Sequence, residues 1–164
     1  MGDMNDDLIR LMADWLMFGI GGLALYAFAF QVPRKQWWYW GWRIVAAGLT
    51  CYLVAKIVGH FYQPAELRPF ELLGLEPGAA YLPNPGFPSD HALFAMFLTL
   101  AVWYSTRHRL ISGIMLAMTL IVCTGRVLAL VHTPLDVIGG LLIAFTGIGW
   151  YYLSHTTLDG RAKR

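Results

Sequence analysis

The chain has 164 residues, 57% of them hydrophobic and 13% charged, with a mean hydropathy of +0.52. Twelve basic and ten acidic side chains cannot cover the surface of a water-soluble domain of this size, so soluble enzymes, coiled coils, disordered chains and disulfide scaffolds are excluded. The formal net charge of +2 is too small to indicate a nucleic-acid partner, and Cys51 and Cys123 both lie inside apolar runs, as small buried hydrophobes do.

Five apolar segments follow one another at about 12–30, 40–61, 90–106, 109–130 and 134–154. At about 1.5 Å of rise per residue, roughly 20 helical residues cross a hydrocarbon core. Four segments reach that length and the third is shorter. An all-α integral membrane bundle of about five transmembrane helices, forming a single domain over residues 1–164, is therefore expected. The residues before the first segment are acidic, Asp3, Asp6 and Asp7, where a secretory leader would be basic, which predicts a retained span.

Basic residues set the orientation. Arg34, Lys35 and Arg43 flank the first connection, Arg107, His108 and Arg109 form the third, and Arg161, Lys163 and Arg164 end the chain. Five crossings put all three clusters on one side, which the positive-inside rule makes cytoplasmic. Trp37, Trp38, Trp40 and Trp42, with Trp103, Tyr104 and Trp150 to Tyr152, fall at the same interface and read as an anchoring aromatic belt.

Eight other polar groups then gather at the outer end. Lys56 closes the second span, Arg68, Ser89, Asp90 and His91 lie in or after the second connection, Arg126 closes the fourth span, and His132 and Asp136 border the turn into the fifth. Ionisable groups at membrane depth are expensive and face one another or a bound ion. Three cations against two acids leave an excess that an anion would balance. Ser89 reads as the N-cap of the third span, whose free N–H groups and positive dipole end suit a phosphate. The bland alternative is that Ser89 only caps and Asp90 only complements the dipole. Thr133-Pro134 reads as the start of the fifth helix, with Asp136 in its first turn within reach of His132. Arg126 supplies a guanidinium able to clamp two phosphoryl oxygens.

The set Lys56, Arg68-Pro69, Pro88-Ser89-Asp90-His91 and Arg126-x5-His132-x3-Asp136 resembles the three-part signature of the type 2 phosphatidic acid phosphatase (PAP2) superfamily, over roughly residues 56–140. The resemblance implies a PAP2-like helical core and a phosphatase working without metal or other cofactor. It implies His132 as the nucleophile that becomes phosphohistidine, Asp136 as its orienting partner and His91 as the proton donor to the leaving group. Lys56, Arg68, Ser89 and Arg126 would hold phosphoryl oxygens, with Asp90 and Pro69 alongside. The sequence departs from the family pattern in three places. Eleven residues separate Lys56 from Arg68, a longer interval than usual; Gly125 stands where a serine is usual; and Asp90 stands where many members have glycine. Five crossings are also one fewer than the usual core.

The Pro-Ser-Asp-His form resembles the bacterial undecaprenyl-diphosphatase branch. That implies hydrolysis of undecaprenyl diphosphate to the monophosphate carrier at the outer face of the bacterial cytoplasmic membrane. Phosphatidylglycerophosphate, a lipid A phosphate and phosphatidic acid are alternative substrates, and a non-catalytic lipid-phosphate binder or transporter is the non-enzyme alternative. Leu93, Phe94, Phe97 and Leu141 are candidates either for packing or for lining the lipid tail. The proline-rich stretch from about Tyr62 to Phe87 reads as a roof over the outer site, with Glu66, Glu71 and Glu76 expected to point away from an anion.

Overall fold

The computed structural model describes residues 2–83 and 86–152; the basic tail cluster of Arg161, Lys163 and Arg164 lies outside the described residues. Among these there are helices and no strand. The first long rod begins as α1 (Gly2–Arg10), passes through a π-helical turn at Leu11–Trp15 and continues as α2 (Leu16–Gln31). A short 3-10 turn leads into α3 (Trp37–Phe61); α4 (Pro69–Leu73) is one turn inside the long connection. Then come α5 (Asp90–Thr106), α6 (Arg109–Leu128) and α7 (Pro134–Ala144), the last continuing through a 3-10 turn to Tyr152.

Four helical stretches are long and apolar enough to cross a membrane: Asn5–Gln31, Arg34–Phe61, Arg109–Leu128 and Pro134–Tyr152. The third expected crossing, α5, has 17 residues and rises about 25 Å. It sits in the middle of the bundle, packed against α2, α3, α6 and α7. Its neighbours carry the lipid-length requirement, so a central helix can be shorter. Ala92, Ala95, Ala101 and Val102 on α5 are buried against them, while Phe18, Leu25, Phe30, Leu49 and Leu142 face outward. Outward-facing large apolar side chains all round a helical bundle suit a lipid solvent.

Chain direction puts the start of α1, the end of α3, the start of α5, the end of α6 and the start of α7 at one end. Glycines let the elements close there. A Cβ on Gly140 of α7 would stand 2.5 Å from the Ser89 carbonyl, and one on Gly59 of α3 would stand 2.9 Å from the Phe87 carbonyl. The Ser89 N–H donates to the Asp136 carbonyl at 2.9 Å, tying the start of α5 to the start of α7.

At the opposite end only part of the expected aromatic belt faces outward. Trp37, Trp38, Trp42 and Tyr152 face outward, but Trp40 packs against the core and Trp150 donates to Thr50 at 2.8 Å. Arg43, one of the basic residues flanking the first connection, is buried with its guanidinium 3.5 Å from the Tyr39 ring centre. Helical spacing from Tyr39 to Arg43 stacks the cation on a ring one turn away, a contact that charge counting cannot register. Both cysteines are free and buried, as their apolar surroundings predict.

Candidate active site

Three local structures present the polar groups. Ser89 caps α5, its hydroxyl accepting from the Ala92 N–H at 3.5 Å, and Asp90 and His91 follow in the first turn. Thr133 caps α7 in a capping box: its hydroxyl accepts from the Asp136 N–H at 3.2 Å, and the Asp136 carboxylate accepts from the Thr133 N–H at 2.7 Å. Arg126 lies in the last turn of α6, where the helix dipole favours a cation.

His91, Arg126 and His132, with Arg68, line one cavity of about 250 Å³, closed by Ala80, Tyr81, Leu82, Pro88 and Asp90. Arg126 is 1% exposed and His132 6%. Arg68 is held by its guanidinium donating to the carbonyls of Val131 and Leu82, and by its N–H donating to Glu71 at 2.6 Å. Burial pulls the Arg68 guanidinium below its ordinary value while Asp136 and Glu71 pull it up; an arginine stays charged throughout. His132 Nδ1 faces Asp136 Oδ2 at 3.7 Å. That distance permits electrostatic attraction and is too long for a formed hydrogen bond, and the buried Nδ1 has no other partner. Burial lowers the His132 pKa, Arg126 and Arg68 lower it further, and Asp136 opposes them. The imidazole is therefore held neutral.

Other residues singled out from the sequence lie off these walls. Lys56 pairs with Asp90 at 3.5 Å on the half-exposed rim and leans over the Tyr52 ring. The long interval to Arg68 accounts for this, because it carries the chain through the end of α3 and a loop before α4 begins. Ser89 is fully buried and does not line the cavity. Pro69 opens α4 and lines a neighbouring cavity of about 530 Å³ with Gln63, Glu66, Glu71 and Asp136. Glu66 and Glu71 are exposed and line no wall of the cavity that holds the two imidazoles, and Glu71 also accepts from the backbone N–H that starts α4. Glu76 is exposed. The roofing connection is not structureless: α4 and Ala79 pack Phe70 and Ala79 against Ala13, Ala129 and Val131.

One charged residue escaped the sequence reading. Asp14, in the π-helical turn, accepts from Arg126 Nη1 at 2.8 Å. The balance of three cations against two acids thus becomes even. What survives is placement: of the three acids Asp90 alone lines the cavity that the guanidiniums and imidazoles share, whereas Asp14 lines the adjoining cleft and Asp136 the neighbouring cavity. An acid inside an otherwise apolar run is the signal that could have found Asp14.

The cavity adjoins a cleft of about 380 Å³ that shares Ala80, Asp90 and His91 and adds Asp14, Met17, Phe18 and Phe94. Phe94 also lines a groove of about 400 Å³ along α5, walled by Gly21 and Leu25 of α2 and by Gly41 and Ile44 of α3. Of the four apolar candidates, Phe94 alone borders this space. Leu93 and Phe97 are buried in the core, and Leu141 packs beside Ala92, Cys123 and Val137.

Comparison with known proteins agrees with the motif. The model of the PAP2 superfamily matches residues 40–159. The Escherichia coli (strain K12) protein YbjG, provisionally named an undecaprenyl-diphosphatase, is 31% identical over 133 residues, covering 72% of this chain and 65% of its own. Mouse (Mus musculus) sphingosine-1-phosphate phosphatase 2 is 35% identical over 80 residues, covering 45% of this chain and 23% of its own. The chain thus spans just under two thirds of the bacterial relative and about a quarter of the mouse one. No solved structure matches it. With three separated motifs in order and a family model that spans most of its length, the chain belongs to the PAP2 superfamily.

Proposed function

We propose that the chain is a single-domain membrane lipid phosphatase that hydrolyses undecaprenyl diphosphate to undecaprenyl phosphate at the outer face of a bacterial cytoplasmic membrane. The observation that carries the reading is the sharing of one cavity by two imidazoles and two guanidiniums drawn from three separate stretches of chain. Neutral His132 attacks phosphorus through Nε2 while Nδ1 faces Asp136. The bond from phosphorus to the leaving oxygen breaks, and that oxygen takes its proton from His91, which the negative charge of the bound phosphate favours in its protonated form. Water, deprotonated by His91, then cleaves the phosphohistidine, releasing phosphate and restoring both rings. Arg126 and Arg68 stabilise charge on the phosphoryl oxygens, and the N-terminus of α5 adds its dipole. Lys56 acts from the rim through Asp90, and Ser89 supports the start of α5.

The adjoining apolar cleft and groove favour a phosphate carried on a long hydrocarbon chain, entering from the bilayer past Phe94. The diphosphate is preferred because the second motif has the Pro-Ser-Asp-His form and because the bacterial relative bears that name.

The test is phosphate release from purified protein in detergent, with undecaprenyl diphosphate, phosphatidylglycerophosphate, phosphatidic acid and sphingosine 1-phosphate compared side by side in the presence of chelator. Turnover of the prenyl diphosphate above the others, undiminished by chelator, is expected. Turnover of another lipid above it moves the substrate, and no turnover of any defeats the phosphatase reading. The pH dependence carries a sign. A nucleophile needed neutral, with its pKa lowered by burial, keeps kcat/KM high below the ordinary histidine value of about 6.5 and loses it only as pH falls further. Asp136→Asn removes the one influence that raises this pKa, so the acid limb should move to still lower pH. A move to higher pH would contradict the assignment of that limb to His132.

A further inference from the structure

The contact between the first helix and Arg126 is used by none of the chemistry above. We infer that Asp14 is a positioning residue that turns one edge of the Arg126 guanidinium into the phosphate cavity. The inference rests on the phosphatase reading and names a residue outside the three motifs.

Asp14 Oδ1 accepts from Arg126 Nη1 at 2.8 Å, and its Oδ2 accepts from the Ala80 N–H at 2.9 Å. Arg126 Nη1 also donates to the Ala80 carbonyl at 2.8 Å. Both hydrogens of Nη1 are thus spent on a closed ring of contacts with Asp14 and the backbone of Ala80, which itself lines the cavity. Covalent geometry decides what is left. Nη1 lies on the Cδ side of the guanidinium, so the remaining donors, Nε and Nη2, lie together on one planar edge. That edge is the fork that matches two phosphoryl oxygens. Nε is buried with no partner, in a side chain that is 1% exposed and lines the cavity beside His91 and His132. A buried, unpartnered donor on an otherwise satisfied arginine is an expensive arrangement that a bound oxyanion relieves.

The first helix reaches Arg126 only because of Gly125. A Cβ there would stand 2.7 Å from the Ala13 nitrogen and 2.8 Å from the Met12 carbonyl carbon and Cβ. Ala13, fully buried, seats the same turn against Phe70, Ala79, Ala129 and Val131. Asp14 lies in the same turn, the π-helical one at Leu11–Trp15. A side chain at residue 125 would lift this turn and draw the carboxylate away without altering either charge.

The test compares wild type with Asp14→Asn, Asp14→Glu and Gly125→Ala. It measures kcat and KM on the preferred lipid phosphate, the inhibition constant of inorganic phosphate, and thermal unfolding, with rates scored per folded molecule. D14N and G125A are expected to weaken phosphate inhibition and lower kcat/KM together, by about 10- to 100-fold as for other residues that orient a charged ligand-binding group, with D14E recovering part of both. Unchanged phosphate inhibition and kcat/KM in folded D14N overturn the inference and leave the phosphatase reading intact. Should D14N fail to fold, G125A carries the same comparison, and unchanged values there overturn it equally. A wild-type protein that neither hydrolyses the lipids nor binds phosphate defeats the phosphatase reading itself, and the role of Asp14 falls with it.

Discussion

Replacing His132 with alanine is expected to lower turnover of the preferred lipid phosphate by about 10⁴-fold or more while leaving the fold intact. The two halves of that statement have separate grounds. The imidazole stands at the cavity wall with its Nδ1 towards Asp136, so its loss removes the proposed attacking atom rather than one of several stabilising contacts. It is also structurally dispensable. Nδ1 makes no hydrogen bond, and Asp136 keeps its bond to the Thr133 N–H whether or not the ring is present. The local cost is therefore that of emptying a small buried site, on the order of 1 kcal/mol. The check is phosphate release alongside thermal unfolding and inorganic phosphate inhibition. Lost turnover with retained phosphate inhibition marks a nucleophile. An H132A protein that still turns over would sink the phosphohistidine mechanism, as would failure to trap an acid-labile, alkali-stable phosphoryl group on the wild type.

Arg126→Ala is expected to be nearly as severe in rate and worse in stability. Losing a preorganised donor aimed at developing phosphoryl charge costs about 10²- to 10³-fold in kcat. The same change strips Asp14 and the Ala80 carbonyl of their shared partner. Removing one member of a well-buried pair costs about 3 to 5 kcal/mol, and because the Asp14 side chain is 22% exposed the lower end applies. Arg126→Lys separates the two effects. An ammonium can satisfy Asp14 and the Ala80 carbonyl but cannot also offer a planar fork to the substrate, so stability should recover more than rate. Thermal unfolding and kcat measured on both variants decide the matter; a lysine variant with wild-type kcat would show that the fork is not used.

Much of this was legible in the amino-acid order, for a simple reason. Apolar length specifies spanning helices because the bilayer core has one thickness. The capping residues Ser89 and Thr133 mark the starts of α5 and α7 through contacts only three residues away. Alternation of direction along successive helices then sends the ends of α3 and α6 and the starts of α5 and α7 to the same side. The helical class, the order of elements and the meeting of His91, Arg126 and His132 at one end follow from such local signals. Their roles in catalysis are proposals that the expected results above address.

What only the tertiary structure decided concerns partners far apart in the chain. Asp14 and Arg126 are 112 residues apart and meet because Gly125 leaves room for the backbone of the first helix. Lys56 faces Asp90 and not the cavity, Glu71 is taken up by the start of α4, and Arg43 lies beneath an aromatic ring. Charges counted along a row carry a sign and a membrane depth. They carry no direction, and direction comes from which helix faces touch once side-chain volumes, and the glycines that remove them, set how closely the helices approach. Sequence therefore determined the helices, their order and the end at which the ionisable groups collect; packing determined which of those groups look into the cavity and which stand behind it.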